Sequence, residues 1–353
     1  MQQIPITRAM MSIPLFMLAA GGATADSISP ASYSDTLAVG ESVSLRKTVT
    51  VSAGGPTSAL VDIIFLADET GSMGGEISDV RNAAASIITA TSGLGNVQWG
   101  VGGYRDFSDA FAYRELTDLT SDTTAVQSAI NTWAASGGGD FPEANLYGLE
   151  QVATGMEWRT GSTRIVVWFG DAPGHDPSGG VSETDAIAAL TGENITVHAL
   201  DAGKLDSSGQ ATRITDATGG TLGSLGVGTA AVTDSILDAI DTTFSSYSTV
   251  ALAVGAGADC VDVSLDPAGG YSGSYDRSVD RDFAFTVTFT GTTPGDCSFD
   301  INALVDGGIV AVERDRFRVT AGGGPAPVPV PASLPLLLGA LLGGGAFLRR
   351  RRK

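Results

Sequence analysis

The chain has 353 residues, with 39 aspartates and glutamates against 20 lysines and arginines and a formal net charge of −19. This negative charge repels phosphate backbones, so it argues against nucleic acid as a partner. Hydrophobic residues make up 43% of the chain, which is enough for a packed core and excludes global disorder. The presence of only two cysteines and two histidines excludes a four-cysteine zinc site and a histidine-rich metal site.

Residues 1–25 have the pattern of a secretory signal peptide. Arg8 supplies a positive flank, an apolar run covers residues 10–20, and a small-x-small cleavage pattern ends at Ala25. An uncleaved anchor is the alternative, but the apolar run is short for a bilayer span. The protein is therefore predicted to be exported.

Residues 58–248 alternate between strand and helix patterns. The run from Ala59 to Ala67 is almost wholly apolar, as in a parallel strand that is buried on both faces. Further strands are predicted at 97–104, 164–169 and 195–200, and helices at 77–88, 123–134, 142–156, 182–190 and 233–243. This alternation predicts an α/β fold of the doubly wound, Rossmann-like class with a parallel central sheet.

The flanking segments, 26–57 and 249–322, have the pattern of β-strands joined by turns. We predict that both contribute to one small β-sandwich, with the α/β domain inserted between them. Cys260 and Cys297 are predicted to form a disulfide, because export places the chain in an oxidising compartment. A free, reactive pair of cysteines is the alternative.

Acidic side chains occur where the predicted strands end. The oxygen-bearing residues in these loops are Asp68, Thr70 and Ser72 after the first strand, Asp106 after the second, Asp140 and Glu143 at the next helix, and Asp171 after the third strand. Because ligands bind at the carboxyl ends of strands in an open α/β sheet, these side chains are expected to converge there. Unpaired carboxylates raise one another's pKa, and oxygen donors of this kind favour Mg²⁺, Mn²⁺ or Ca²⁺. The sequence therefore predicts a divalent-cation site.

Local explanations of the same residues remain open. Ser72 could cap the following helix, and Asp140 and Glu143 could be acids at the positive end of a helix. Asp106 and Asp171 could be turn acids. His175 and His198 could be general bases, although no nucleophile can be assigned to either, and a packing role is favoured for His198, which lies within a strand.

The loop Asp68-x-Thr70-Gly-Ser72 after an apolar strand resembles the metal-ion-dependent adhesion site of von Willebrand factor type A domains. The loops around Asp140 and Asp171 are similar to those of the integrin β-subunit I-like domain. The resemblance covers 58–248. It implies that Asp68, Thr70, Ser72, Glu143 and Asp171 surround Mg²⁺ or Mn²⁺, and that Asp106, Asp140 and Glu143 hold a neighbouring Ca²⁺. Thr70 replaces the usual serine, and Gly75 replaces an acid of a third site.

The C-terminus has three parts: a Pro/Gly-rich linker at 323–332, an apolar stretch and a basic tail, the last two within 333–353. By hydropathy this is a marginal membrane span with a basic stop. The order Val-Pro-Val-Pro-Ala, a leucine-glycine stretch and an arginine cluster resembles PEP-CTERM sorting signals of the VPLPA type. The resemblance implies a Gram-negative bacterium, transient insertion in the inner membrane, and processing by an exosortase-type enzyme. A permanent membrane anchor is the alternative.

Together these features predict a binding protein rather than an enzyme, located at the cell surface or in the extracellular matrix. Its cation is expected to bind an acidic group on a protein or on an extracellular polysaccharide. Two alternatives remain open: a structural matrix protein with a purely stabilising ion, and a metal-dependent hydrolase, which would need a metal-bound water beside a competent base.

Overall fold

The computed structural model describes residues 25–322. The predicted signal peptide, except for its last residue, lies outside the described residues, and so do the predicted linker and the C-terminal sorting segment. Among residues 25–322, no helix is both long enough and apolar enough to span a membrane.

Within that part of the chain the main secondary-structure elements are β-strands and α-helices. The strands are β1 (Ser27–Ser29), β2 (Ser32–Ala38), β3 (Ser42–Val51), β4 (Ala59–Asp68), β5 (Gly95–Tyr104), β6 (Tyr113–Thr120), β7 (Thr163–Gly170), β8 (Ile195–Asp201), β9 (Leu222–Ser224), β10 (Ser246–Val254), β11 (Val261–Asp266), β12 (Tyr271–Asp276), β13 (Arg281–Gly291), β14 (Gly295–Val305) and β15 (Gly308–Thr320). The α-helices are α1 (Gly74–Thr91), α2 (Thr123–Asn131), α3 (Asn145–Gly155), α4 (Glu183–Gly192), α5 (Gln210–Thr218) and α6 (Thr229–Thr243).

The central sheet has the strand order β6-β5-β4-β7-β8-β9, and it confirms the doubly wound α/β fold. Strands β5, β4, β7, β8 and β9 pair in parallel, whereas β6 pairs antiparallel with β5. The predicted strands therefore pair in parallel as expected, and β6, which the sequence did not predict, adds an antiparallel edge. Only eight residues, 105–112, join β5 to β6, and a parallel crossover needs a dozen or more.

Strand β4 is buried on both faces because helices cover each side of the sheet. Ile63, Phe65 and Ala67 pack in the core that includes α1, α2 and α6, whereas Ile64 and Leu66 pack in the core that includes α3, α4 and α5. This alternation follows from the two-residue repeat of a strand. It explains why the sequence of β4 is almost wholly apolar.

The flanking segments form a β-sandwich of two sheets, with the orders β1-β3-β13-β11 and β12-β10-β14-β15-β2. The N-terminal segment gives β1 and β3 to one sheet and β2 to the other, so the predicted sandwich is built from both flanks. The predicted disulfide between Cys260 and Cys297 is present. It links the residue before β11 to β14 and thus ties the two sheets together.

The sandwich contacts the end of the central sheet where its parallel strands begin. Ser58, just before β4, donates a hydrogen bond to the carbonyl of Val310 on β15, at 2.7 Å. The Ile309 amide donates to the carbonyl of Gly161, which precedes β7, at 2.8 Å. The carboxyl ends of these strands therefore lie at the far edge of the sheet, away from the sandwich.

Candidate metal centre

The candidate centre lies at the carboxyl edge of the sheet, where the chain connectivity changes direction. Asp68 is the last residue of β4 and pairs with Tyr104 at the end of β5. On the other side of β4, β7 ends at Gly170, and Asp171 follows it. The point between β4 and β7 is the topological switch at which open α/β sheets bind ligands.

Asp68 is fully buried, and only one of its carboxylate oxygens is satisfied. Its Oδ1 accepts hydrogen bonds from the Thr70 amide at 2.9 Å and the Thr70 hydroxyl at 2.7 Å. Its Oδ2 has no hydrogen-bond partner among the residues that the structure describes. Burial, with a smaller contribution from the charge of Asp171, raises the pKa of Asp68 to about 7 even though the Thr70 hydrogen bonds oppose the shift.

The two hydroxyls of the first loop face each other rather than capping a helix. Thr70 Oγ1 and Ser72 Oγ are 3.4 Å apart, and the chain between them enters a short 3₁₀ turn at Gly71–Met73. The N-cap of α1 is Met73, with no side-chain cap. The alternative that Ser72 caps the next helix is therefore wrong.

Glu143 reaches the site because it lies outside the helix. Its amide donates to the Pro173 carbonyl at 2.9 Å, and its carbonyl accepts from the His175 amide at 3.0 Å. This pairing holds the segment extended, so α3 begins at Asn145 and not at Pro142 as the periodicity predicts. Glu143 is buried and its Oε2 has no hydrogen-bond partner. Burial, followed by the charges of neighbouring aspartates such as Asp68, raises its pKa to about 9.

Gly138 allows the loop before Glu143 to approach the first loop closely. Its φ is +77°, and a Cβ there would lie 2.9 Å from both Glu143 Oε1 and Thr70 Cβ. The Gly138 amide donates to Asp109 Oδ2 at 2.9 Å. Sequence reasoning missed Asp109, although its position three residues after Asp106 in the loop after β5 was a usable signal.

A cleft of about 400 Å³ opens onto these groups. Its lining includes Thr70, Ser72, Glu143 and Asp171, and Asp68 lies beneath Thr70. The residues of the predicted main-ion site are thus brought together. The donor set fits a divalent cation, because two buried carboxylate oxygens lack partners and the remaining donors are oxygens.

A second cluster, next to the first, consists of Asp106, Asp140 and His175, with one potential ligand atom from each lying within 4.8 Å of the others. His175 Nε2 is 3.5 Å from Asp106 Oδ1 and 3.4 Å from Asp140 Oδ2. This group contains His175 where the sequence predicted Glu143. The sequence considers His175 only as a possible base. Its contact with Asp106 joins two loops that are far apart in the chain, so the sequence alone does not predict it.

Glu69, beside Asp68, has a structural role. It is fully buried, and its carboxylate accepts from Arg114 Nε at 2.8 Å and from the Ala134 amide at 3.0 Å. Its carbonyl accepts from Arg105 Nε at 3.1 Å. These contacts neutralise Glu69 and anchor the first loop, so Glu69 is not available to the cleft.

His198 packs in the protein interior, as favoured from the sequence. Its ring nitrogens lie 2.8 Å from Thr221 Oγ1 and 2.7 Å from Thr243 Oγ1. Burial lowers its pKa to about 4, which keeps the imidazole neutral at neutral pH. This position is remote from the cleft, so His198 is not a base for it.

Residues 62–218 match the family model of the von Willebrand factor A domain. Together with the central mixed sheet and its flanking helices, this match supports a von Willebrand factor A domain within the chain. The matched model is that of the family whose cation site the first loop resembles.

Individual relatives match over shorter parts of their length. The chain is 29% identical over 121 residues to the alpha-protein kinase vwkA of Dictyostelium discoideum, which covers 33% of this chain and 19% of that protein. It is 31% identical over 123 residues to the putative ariadne-like RING finger protein R811 of Acanthamoeba polyphaga mimivirus, covering 34% and 12%. The chain therefore spans less than a fifth of the length of these relatives. A solved von Willebrand factor type A structure from Catenulispora acidiphila aligns with a TM-score of 0.46 at 15% identity, covering 81% of this chain and 72% of that one.

Proposed function

We propose that this protein is a binding module whose A domain holds a divalent cation at the cleft. The observation that carries the proposal is the pair of buried, unpartnered oxygens, Asp68 Oδ2 and Glu143 Oε2. A buried carboxylate without a partner costs several kcal/mol in general, and a cation offsets that cost. A domains are commonly involved in adhesion or protein interaction, which favours binding over turnover.

The residues that line the cleft favour an acidic partner. The hydroxyls of Thr70 and Ser72 would contribute ligands without formal charge, so a bound Mg²⁺ or Mn²⁺ would supply an electrophilic centre for an incoming carboxylate. Lys204 lines the same cleft, with its Nζ 5.6 Å from the ring centroid of Phe141. Phe141 is 49% exposed. A cation, an ammonium group and an exposed aromatic ring together suit a carboxylate of a protein or of an acidic polysaccharide.

The second cluster belongs to the same proposal. Asp106 and Asp140 suit a hard cation such as Ca²⁺ or Mn²⁺, whereas the imidazole of His175 favours a transition metal such as Zn²⁺. A cation there would hold the loop after β5 against the loop that carries Asp140. It would thus stabilise the wall of the main cleft.

We further propose that the module works outside the cytoplasm, at the Gram-negative surface or in the matrix, after processing by an exosortase-type enzyme. The predicted signal peptide and sorting segment support this location, and the Cys260–Cys297 disulfide is typical of an oxidising compartment. The membrane contact in this scheme is through residues 333–353.

Calorimetry with Mg²⁺, Mn²⁺ and Ca²⁺ tests the cation. The wild type and an Asp216→Ala control, which changes an exposed acid on α5, are expected to take up metal at the main site. Asp68→Ala is expected to lose this uptake and to keep only the metal that the second cluster binds. Capture of partners from the native envelope with and without EDTA then separates adhesion from a purely stabilising ion. Metal uptake that is unchanged in correctly folded Asp68→Ala would refute the proposed site. Capture that is insensitive to EDTA would refute cation-dependent adhesion.

A further inference from the structure

The β-sandwich contains a cluster of three ionisable side chains that the metal centre does not use. Lys47 on β3, and Glu313 and Asp315 on β15, are all fully buried. Glu313 and Asp315 are two residues apart, so they share one face of their strand. Lys47 belongs to the opposite sheet, and its side chain reaches across the core to meet them.

The surroundings of this cluster are aromatic and exclude water. Lys47 Nζ lies 5.6 Å from the ring centroid of Phe289. Phe289 in turn packs against Phe317, with ring centroids 4.6 Å apart. One ammonium facing two carboxylates leaves a net negative charge in a dry core. Transfer of a proton from Lys47 to a carboxylate would produce an amine and a carboxylic acid, and neutral groups cost less than ions to bury in an apolar core.

The two carboxylates contact the lysine differently. Lys47 Nζ donates a hydrogen bond to Glu313 Oε1. It lies 3.2 Å from Asp315 Oδ2 and 3.5 Å from Asp315 Oδ1. Among residues 25–322, the nearer of these oxygens has no hydrogen-bond partner. The nitrogen thus lies within 3.5 Å of both oxygens of the Asp315 carboxyl group, whose carbon is Cγ.

Glu313 is suited to carry the proton between the other two groups. Burial raises its pKa to about 7, although the hydrogen bond from Lys47 acts to lower it. Its Oε1 contacts Lys47, and its Oε2 has no hydrogen-bond partner. A carboxyl group held beside a buried amine can accept the proton of the ammonium and return it to a leaving oxygen.

From this geometry we propose that Lys47 and Asp315 condense to form an intramolecular amide across the sandwich. The Nζ–Cγ bond forms and one Cγ–O bond breaks. The ammonium and the carboxylate together lose one water molecule, so that –NH₃⁺ and –COO⁻ become –NH–CO–. Glu313 takes two protons from Nζ, one after the other, and passes both to the departing oxygen, which leaves as water. The step is neither an oxidation nor a reduction, and it needs no co-reactant.

The amide would join β3 to β15 and so close a covalent loop that contains the whole A domain. Residues 323–353 continue the chain from the end of β15, so a pull on that segment would reach Asp315 and pass to Lys47 directly. The hydrogen bonds between strands would then bear less of the load. The inference is independent of the cation site, because no residue is shared between them.

Mass spectrometry of the full chain tests the bond. After denaturation, reduction and tryptic digestion, the fragment that contains Lys47 is expected to be joined to the fragment that contains Asp315, with the loss of one water and no cleavage after Lys47. The Asp315→Ala variant is expected to give separate fragments. Asp315→Asn is expected to give the same linked product as the wild type, because the condensation then releases ammonia instead of water.

The role of Glu313 has its own test. Glu313→Gln is expected to slow linkage by at least about a hundredfold, measured as the linked fraction against time after refolding. Linkage in Glu313→Gln at the wild-type rate would overturn the proton-carrying role. Separate fragments from folded wild-type protein, or a link from Lys47 to Glu313, would overturn the proposed bond. The wild-type digest decides this even if a variant fails to fold.

Discussion

The buried carboxylate of Asp68 makes a prediction that separates a metal site from an ordinary structural acid. Asp68→Asn removes the charge but keeps an oxygen that can accept both hydrogen bonds from Thr70. In the metal-free protein, the pKa of Asp68 is raised from 3.8 to about 7. A carboxyl group with a raised pKa keeps its proton in the folded state, so ionising it costs stability. That cost grows as the pH rises from 3.8 to about 7, and it reaches its full value above about pH 7.

The size of the effect follows from the shift in pKa. At 1.36 kcal/mol per pKa unit, the cost of ionised Asp68 above pH 7 is about 4 kcal/mol. The asparagine variant avoids this cost, but it buries an amide NH₂ without a partner, at about 1–3 kcal/mol. In EDTA at about pH 8, Asp68→Asn is therefore expected to raise the free energy of unfolding by about 1–3 kcal/mol. Near pH 4 the ionisation cost is nearly absent while the amide cost remains, so the variant is expected to be less stable than the wild type by about 1–3 kcal/mol.

In saturating Mg²⁺ the wild type is expected to become more stable than Asp68→Asn. A ligand at a hundredfold excess over its Kd stabilises the folded state by about 2.7 kcal/mol, and the variant would lose most of this gain. The assay is urea unfolding of both proteins, in EDTA and in Mg²⁺, across a pH series. Asp216→Asn serves as a matched control on the surface. If Asp68→Asn destabilised the protein equally in EDTA and in Mg²⁺, the reasoning from an unpaired buried charge would be refuted.

Three further predictions concern the scaffold. The pKa of His198 is lowered from 6.5 to about 4, so the wild type should lose about 3 kcal/mol of stability as the pH falls through that range. In urea unfolding, the midpoint of His198→Gln should depend less on pH than that of the wild type. Replacing Cys260 and Cys297 by serine opens a loop with a sequence separation of 37 and should lower the free energy of unfolding by about 3–4 kcal/mol. In urea, the reduced wild type should unfold at the same midpoint as the variant. A Cβ at Gly220 would lie 1.9 Å from a carbonyl oxygen of β8, so Gly220→Ala should lower the unfolding free energy by about 2–3 kcal/mol. A Cβ at Gly75 would meet no atom within 4 Å, so the control Gly75→Ala should not lower the unfolding free energy. Equal effects of the two substitutions would contradict the steric argument.

Local patterns in the sequence were enough to determine the fold class and the edge of the sheet that carries the acids. The apolar run that ends at Asp68 could only be a strand buried on both faces, and β4 is such a strand. Parallel strands bring their carboxyl ends to one edge, so acids placed directly after strands must meet there. The β pattern of both flanks likewise predicted a shared sandwich, and the cysteine count left one possible disulfide.

Only the tertiary structure decided which side chains from different loops meet. The start of α3 moved to Asn145 because Glu143 pairs with the loop after β7, and helical periodicity contains no information about such a partner. His175 joins Asp106 and Asp140 for the same reason, since the contacts span loops far apart in the chain. The polar helix α5 and the edge strand β6 were missed because packing, rather than pattern, stabilises them. Lys47 stands in a strand like any exposed lysine, and only the closing of two sheets shows that it is buried between two carboxylates.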